Sequence, residues 1–329
     1  MTAVIAGVDR ILVIRLGALG DFVLSLGPCA AIRHQHRGAH ITLLTTAPFA
    51  EFAHMTGYFD DVWIDNRPRL LDIGGWLTLR RRLRAGHFDR VYDLQTSDRT
   101  GFYFRIMAPG PRPEWSGIAR GASHRDRNPE RTRVHTADRQ RAQLRQAGIP
   151  EVPPPDLSWI IADTRRFGLP PNYALLVPGG AAHRPEKRWP AWRYGELAER
   201  LVDRGVAPVL IGGHAEAEAA DEIGRRCAGV RSLLGQTSFI DIVALARGAF
   251  GAVGNDTGPM HLIAAAGCPS VVLFSRASDP ARTAPRAPAG RPPVATLRRD
   301  DLAALSTDEV ALALTTAVNR AGTRLPAGR

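Results

Sequence analysis

Short apolar strands alternate with amphipathic helices, stop at a proline-rich stretch and then begin again. This double alternation limits the folds open to the chain more than any other feature. Arg10-Ile-Leu-Val-Ile-Arg15 is a buried-type strand, and Phe22 to Arg33 reads as a helix. His40–Thr45, Asp61–Asp65 and Arg90–Leu94 follow as strands, with helices at Ala47–Met55 and Trp76–Ala85. Strands joined through helices by short loops build a parallel sheet covered on both faces. Pro150-Glu-Val-Pro-Pro-Pro155 breaks the pattern and marks a linker. Strands resume at Tyr173–Val177, Ala207–Ile211, Gly251–Val253 and Ser270–Phe274, separated by helices at Ala191–Asp203, Ala215–Cys227, Phe239–Arg247 and Pro259–Ala266. A last helix spans Asp308–Arg320, with Ser306 or Thr307 as its N-cap. The expectation is an α/β protein of two doubly wound halves, residues 1–155 and 156–305, followed by a C-terminal helical segment, 306–329.

Composition narrows the class. With 329 residues the chain can form two cores, and a 44% apolar share excludes a disordered protein. Three dispersed cysteines, Cys29, Cys227 and Cys268, form no CxxC pair, so neither a disulfide framework nor a zinc site is expected. Asp9, Arg10, Arg15 and Asp21 interrupt the apolar N-terminal stretches, so no signal peptide or membrane span is drawn there. These features suggest a cytoplasmic setting. The net charge of +11 favours an anionic partner. Part of it is local: nine arginines, Arg120, Arg125 and Arg127 among them, lie in residues 111–146 against four acids. That stretch is either a solvated basic face or an anion-binding one. Of the 43 basic side chains a single one, Lys187, is lysine. Lysine is a compact point charge where arginine is a planar fork. A lysine kept after a strand and the Gly179-Gly180 turn is either a mutational accident on a surface loop or a cation aimed at one phosphate oxygen.

Loops at the carboxyl ends of strands are where open α/β sheets bind ligands. Leu16-Gly-Ala-Leu-Gly-Asp21 is such a loop, its glycines Gly17 and Gly20 admitting close approach. Asp21 is either a helix cap or a carboxylate available as general base. Gly254-Asn-Asp-Thr-Gly-Pro-Met-His-Leu262 leaves a strand and opens a helix, whose free amides and dipole make an anion site. Thr257 could add a hydroxyl and His261 a ring N–H. A carboxylate beside a diphosphate is unfavourable, so Asp256 is expected to turn away or to meet a hydroxyl or amide. In Val209-Leu-Ile-Gly-Gly-His-Ala-Glu-Ala-Glu218, Glu216 or Glu218 could accept bonds from a ribose diol.

Together these loops describe a cleft between two sheets, and at this point the chain resembles glycosyltransferase family 9, the ADP-heptose–lipopolysaccharide heptosyltransferases. The motifs are Arg15-Leu-Gly-Ala-Leu-Gly-Asp21, Tyr92-Asp-Leu-Gln95, Pro178-Gly-Gly180 with Lys187-Arg-Trp-Pro190, Ile211-Gly-Gly213, Leu234-Gly-Gln-Thr237 and Asn255-Asp-Thr-Gly-Pro-Met-His-Leu262. They run in the family's order over nearly the whole chain. The resemblance implies a GT-B fold of two facing Rossmann-like domains, with the C-terminal helix returning to the N-terminal one. It implies inverting, metal-independent transfer of a sugar from an ADP-sugar, with no other cofactor, onto an anionic lipid-linked glycan at the inner membrane surface. Asp21 matches the proposed base. Lys187, Arg188, Gly179, Gly180, Gly213, Glu216 or Glu218, Asp256, Thr257, Gly258, Pro259 and His261 fall on the donor side. Gly17, Gly20, Gln95, Arg99, Arg120, Arg125 and Arg127 fall on the acceptor side. Phe274-Ser-Arg-Ala-Ser-Asp279 departs from the family's usual Phe-Gly-Pro, which leaves that loop without an assigned role.

Two rivals are weaker. An NAD-dependent oxidoreductase would need a G-x-G-x-x-G fingerprint that follows no strand here. A non-catalytic nucleic-acid-binding protein would explain the charge but not the phosphate-type loops.

Overall fold

The computed structural model describes residues 7–180 and 184–322, and the chain divides into two units, Met1–Pro155 and Asp156–Arg329. The first unit runs β1 (Arg10–Ile14), α1 (Leu19–Leu24), α2 (Leu26–Gln35), β2 (His40–Thr45), α3 (Ala47–Met55), β3 (Asp61–Ile64), α4 (Ile73–Ala85), β4 (Arg90–Asp93), α5 (Asp98–Ile106), β5 (Glu114–Gly117), β6 (His124–Arg125) and α6 (Thr136–Gln146). Its six strands are ordered β3-β2-β1-β4-β5-β6 and every pair is parallel. Ile11, Leu12, Val13 and Ile14 are all fully buried, which is why this strand reads as a continuous apolar run rather than an alternating one.

The second unit runs β7 (Tyr173–Val177), α7 (Ala191–Asp203), β8 (Ala207–Leu210), α8 (Ala217–Arg226), β9 (Arg231–Ser232), α9 (Phe239–Gly248), β10 (Ala252–Asn255), α10 (Gly258–Ala265), β11 (Ser270–Phe274), α11 (Pro280–Thr283), β12 (Ala295–Arg298) and α12 (Thr307–Arg320). Its order, β12-β11-β10-β7-β8-β9, is again fully parallel and is the same arrangement. Counted from the first strand of each unit, both sheets have the 3-2-1-4-5-6 order of a Rossmann domain. The order reverses between β1 and β4 in one unit and between β7 and β10 in the other, and ligand crevices open at such switch points.

The structure adds elements that the sequence pattern hides. Helix α6 (Thr-Ala-Asp-Arg-Gln-Arg-Ala-Gln-Leu-Arg-Gln) buries glutamines where an apolar stripe would be expected. Gln143 Nε2 donates to Asp93 O (2.9 Å) and Ser116 O (3.2 Å), and Gln140 Nε2 to Ser25 Oγ (2.8 Å). The expected helix from Phe22 to Arg33 is two helices meeting at Ser25, whose N–H and hydroxyl both donate to Asp21 O.

One expectation needs correction. Residues 307–320, expected as a separate terminal element, belong to the second unit. Val310, Leu314 and Val318 of α12 are buried in the second unit's own core with Leu210, Val253, Val271 and Leu273, and Ser306 and Glu309 form its capping box. The apolar stripe at i, i+4 and i+8 is consumed by that sheet. Residues 323–329 of the expected terminal segment lie outside the described residues. Among the described residues, no helix is long and apolar enough to cross a membrane.

The proline-rich linker is seated against α2, where a Cβ on Gly27 would lie 2.0 Å from Pro153 O. Gly27→Ala should therefore destabilise the protein by roughly 1–3 kcal/mol, the usual range for overpacking. An unchanged melting temperature in calorimetry would rule out this backbone contact.

Candidate functional site

At the second unit's switch point the chain places a fully buried amide. Asn255 ends β10, and its Nδ2 donates to Pro178 O (2.8 Å) and Gly179 O (3.1 Å), the two residues that leave β7. Its Oδ1 accepts from Trp189 N (3.0 Å) and lies 3.1 Å from the Tyr194 hydroxyl. An asparagine side chain offers two donors and an oxygen with two lone pairs, so all four positions are filled. Trp189 is in turn anchored through Nε1 to Leu305 O (3.0 Å) and packs edge-on against Tyr194. The loop after β7 is thereby fastened to the end of β10.

That fastening brings Lys187, on the 3-10 turn Pro185–Lys187, to Asp256: Nζ and Oδ2 are 2.7 Å apart, with side chains only 12% and 10% exposed. The side-chain partner of Asp256 is therefore the lysine, rather than the hydroxyl or amide that the sequence suggests as one alternative. Asp256 N donates to Leu273 O (3.0 Å). Thr257 then takes an extended backbone at the N-cap of α10, and its hydroxyl makes no cap bond. Gly258 and Pro259 form the first positions of that helix, and His261 is buried within it.

The neighbouring loops close the same corner. Glu216 Oε2 accepts from Gly213 N (2.8 Å), and a Cβ on Gly179 or Gly212 would meet the Glu216 carboxylate at 3.0 or 3.1 Å. Glu216 therefore lies over the ends of β7 and β8, whereas Glu218 is exposed on the first turn of α8. Arg188 Nη2 donates to Gly180 O (2.8 Å). Ser275 Oγ accepts from Ala277 N and Asp279 caps α11, so the loop that departs from the family pattern is internally bonded.

In the first unit, the hub is Arg15, directly after β1. Its Nη1 donates to Leu94 O (2.6 Å) and its Nη2 lies 3.0 Å from Asp21 Oδ2, with side-chain exposures of 3% and 39%. Burial lowers the Arg15 guanidinium from its ordinary value, while Asp21 and Asp93 act in the opposite direction. Asp21 is in the first turn of α1 but caps nothing, since α1 has no side-chain cap bond. Gln95 Oε1 accepts from Leu16 N (2.9 Å), and Gly17, at φ +123°, packs under the Phe49 ring where a Cβ would sit 2.9 Å from Cε2. Gly20 is buried in α1. These residues share one corner.

The other residues that the resemblance puts on the acceptor side do not join it in one cluster. Arg99, on α5, donates to Pro68 O and lies over the Trp76 ring. Arg120, Arg125 and Arg127 are exposed around β6, with Arg125 Nε donating to Ile118 O (3.2 Å). Within residues 111–146 Asp126, Glu130 and Asp138 pair with Arg131, Arg133 and Arg141, and Glu114 pairs with Arg90. The basic excess there is therefore carried by the arginines left over from those pairs.

Sequence reasoning missed three residues. Asn255 reads as turn punctuation, Arg15 as the end of a strand, and Asp93 as part of a motif without a role. The available signal was polarity inside strands that are otherwise apolar. Asp93 is fully buried, accepts from Thr96 N (2.9 Å), and burial pushes its carboxyl up to about 6. The folded state then holds a proton that the unfolded chain releases near 3.8, so this group costs stability as pH rises from about 4 to 6. Asp93→Asn should flatten the stability curve over that window. Denaturant midpoints that fall as steeply as in the wild type would contradict the assignment.

The sequence profile of glycosyltransferase family 9 (heptosyltransferase) matches residues 76–292. Over 104 residues the chain is 38% identical to lipopolysaccharide heptosyltransferase 2 of Escherichia coli K12, a stretch that spans only 30% of the length of either protein. Over 283 residues it is 25% identical to lipopolysaccharide heptosyltransferase 1 of Pseudomonas aeruginosa, covering 80% of this chain and 78% of the relative. The solved structure of E. coli ADP-heptose lipopolysaccharide heptosyltransferase II superposes with a TM-score of 0.76 at 23% identity, over 94% of this chain and 99% of that one. The two Rossmann-like sheets are thus those of a GT-B fold. The chain belongs to glycosyltransferase family 9.

Proposed function

We propose that this protein is an inverting glycosyltransferase that moves a heptose from ADP-heptose onto the lipopolysaccharide core, an anionic lipid-linked acceptor, at the cytoplasmic face of the inner membrane. The observation that carries the donor half is the Lys187–Asp256 pair at the switch point, directly before the uncapped start of α10. An ammonium has three donors, and Asp256 uses one, leaving the others for diphosphate oxygens. Asp256 is neutralised by the same contact, so a carboxylate in this loop no longer repels the nucleotide. The α10 amides and dipole, with the Thr257 hydroxyl, add stabilisation where charge grows on the leaving diphosphate. The position of Glu216 over the β7 and β8 ends supports it, rather than Glu218, as the acceptor for the ribose hydroxyls.

Asp21 supplies the acceptor chemistry. Its carboxylate is oriented by Arg15 and remains partly exposed. As the acceptor oxygen attacks the anomeric carbon, its proton passes to Asp21. The bond from that carbon to the diphosphate oxygen breaks, and its electron pair leaves with ADP. A single displacement of this kind inverts the anomeric configuration.

Two variants separate these roles. Lys187→Ala should weaken ADP binding at least about tenfold, since a charge-assisted contact contributes roughly 1.5–3 kcal/mol. Asp21→Asn should keep ADP binding and fold while kcat falls by about 10²–10⁴, the usual contribution of a general base. Calorimetry with ADP and single-turnover assays with ADP-heptose measure the two effects. Unchanged ADP affinity in the first variant, or near-normal kcat in the second, would refute the corresponding assignment.

A further inference from the structure

The first unit carries an exposed apolar surface that its Arg15–Asp21 corner does not use. Leu70, Leu71 and Ile73 are 88%, 89% and 72% exposed, and Leu77 and Phe102 are 53% and 41% exposed. They come from the segment entering α4, from α4 itself and from α5. Helix α4 buries Leu79 and Leu83 in the core and leaves Ile73 and Leu77, one turn apart, on its outer side. Leu70, Ile73, Leu77 and Phe102, together with Trp76 and Ile106, line a mostly apolar cavity of about 440 Å³ that Arg80 and Arg99 border, and Leu71 lies beside it in sequence. The surface is held in shape from beneath: Trp76 Nε1 donates to Arg69 O (2.9 Å), and its ring packs edge-on against Phe102. Contiguous apolar surface of this kind on a water-exposed face marks an interaction site.

Its rim is basic. A second cavity, of about 1090 Å³, shares Leu77 and Arg80 with the first and adds Arg81, Arg84 and Arg112. Arg67 and Arg69 flank the other side and are exposed. The arginines outnumber the nearby acids: Asp72 is the N-cap of α4, accepting from Gly75 N (2.8 Å), Asp89 accepts from the backbone of Asp9 and Arg10, and Glu114 is paired with Arg90. The patch also adjoins the acceptor corner, since Arg67 Nη2 donates to Leu16 O (3.3 Å) in the loop that carries Asp21.

We propose that this face docks on an anionic phospholipid bilayer, with Leu70, Leu71 and Ile73 entering the acyl boundary and the arginines of α4 meeting headgroup phosphates. Apolar side chains ringed by arginine match an interface that is apolar within and anionic at its surface, and both terms add to binding. The proposal rests on the reading of the acceptor as lipid-linked, because it would bring the Asp21 corner to a membrane-held substrate.

The test is co-sedimentation with vesicles of phosphatidylcholine, with and without about one-third phosphatidylglycerol. The full chain should bind the anionic vesicles, and the Leu70→Ser/Leu71→Ser/Ile73→Ser variant should lose at least about tenfold in partitioning. Arg81→Glu should weaken binding mainly at low salt, whereas Ile161→Ser, which removes a 91% exposed side chain from the second unit, should change nothing. Transfer to a water-soluble acceptor fragment should be the same in wild type and triple variant. Wild-type partitioning by the triple variant would overturn the proposal. So would a dimer in light scattering that the triple variant abolishes without any vesicle binding, since the occupant would then be a second copy. Failed vesicle binding with intact sugar transfer would remove this surface alone; vesicle binding without transfer would remove the enzymatic reading instead.

Discussion

The second unit depends on the hydrogen bonding of one buried amide. Asn255 stands where β10 ends, and from there it holds the two carbonyls that leave β7 and the N–H of Trp189. Nothing apolar could do this, because the turn after β7 turns unpaired main-chain groups inward, and an unpaired buried carbonyl or N–H costs about 1–3 kcal/mol. With all its bonding positions filled, the side chain joins two strand ends that are adjacent in the sheet but 77 residues apart in sequence. Lys187 and Asp256 meet because that joint fixes both of their loops.

The first unit solves the same problem with a cation. Arg15 is buried at the end of β1 and spans to Leu94 O at the end of β4 and to Asp21 at the start of α1. In each unit a polar hub sits at the reversal of strand order and positions a charged side chain: Arg15 holds Asp21, and the Asn255 joint brings Lys187 to Asp256. Buried networks of this kind are rigid when fully bonded and costly when broken. The Lys187–Asp256 pair follows the same logic, since removing one partner of a nearly buried ion pair leaves the other uncompensated.

Most of this framework was legible in the sequence. The apolar runs of β1, β2, β7 and β11 are fully buried strands with no competing helical period. The linker was legible because prolines cannot extend either element. What remained hidden was chemistry without periodicity. Helix α6 packs through Gln140 and Gln143, so no hydrophobic stripe announces it. Strands β6 and β9 have two residues each, too few to show alternation. The stripe of the terminal helix says that one face is covered but not by which sheet; Val310, Leu314 and Val318 are covered by the second unit's own sheet. In the site, glycines, Lys187 and Asp256 were found from loop position and residue type, whereas the partnership of Lys187 with Asp256 was not. Spacing of 69 residues carries no information about contact. The exposure of Leu70 and Leu71 is likewise not legible, because a sequence does not say which apolar residues the fold leaves uncovered.

The central claim is that the β7/β10 switch point of the second unit holds the nucleoside diphosphate of the donor. The most direct measurement is a titration of isotopically labelled wild-type protein with ADP, followed through its backbone amide resonances. The account predicts that the largest shifts fall on Gly179, Gly180, Gly213, Thr257 and Gly258, with those of Gly17, Gly20 and Asp21 little changed. Shifts concentrated in the Gly17–Asp21 loop, or no saturable response to ADP, would contradict it.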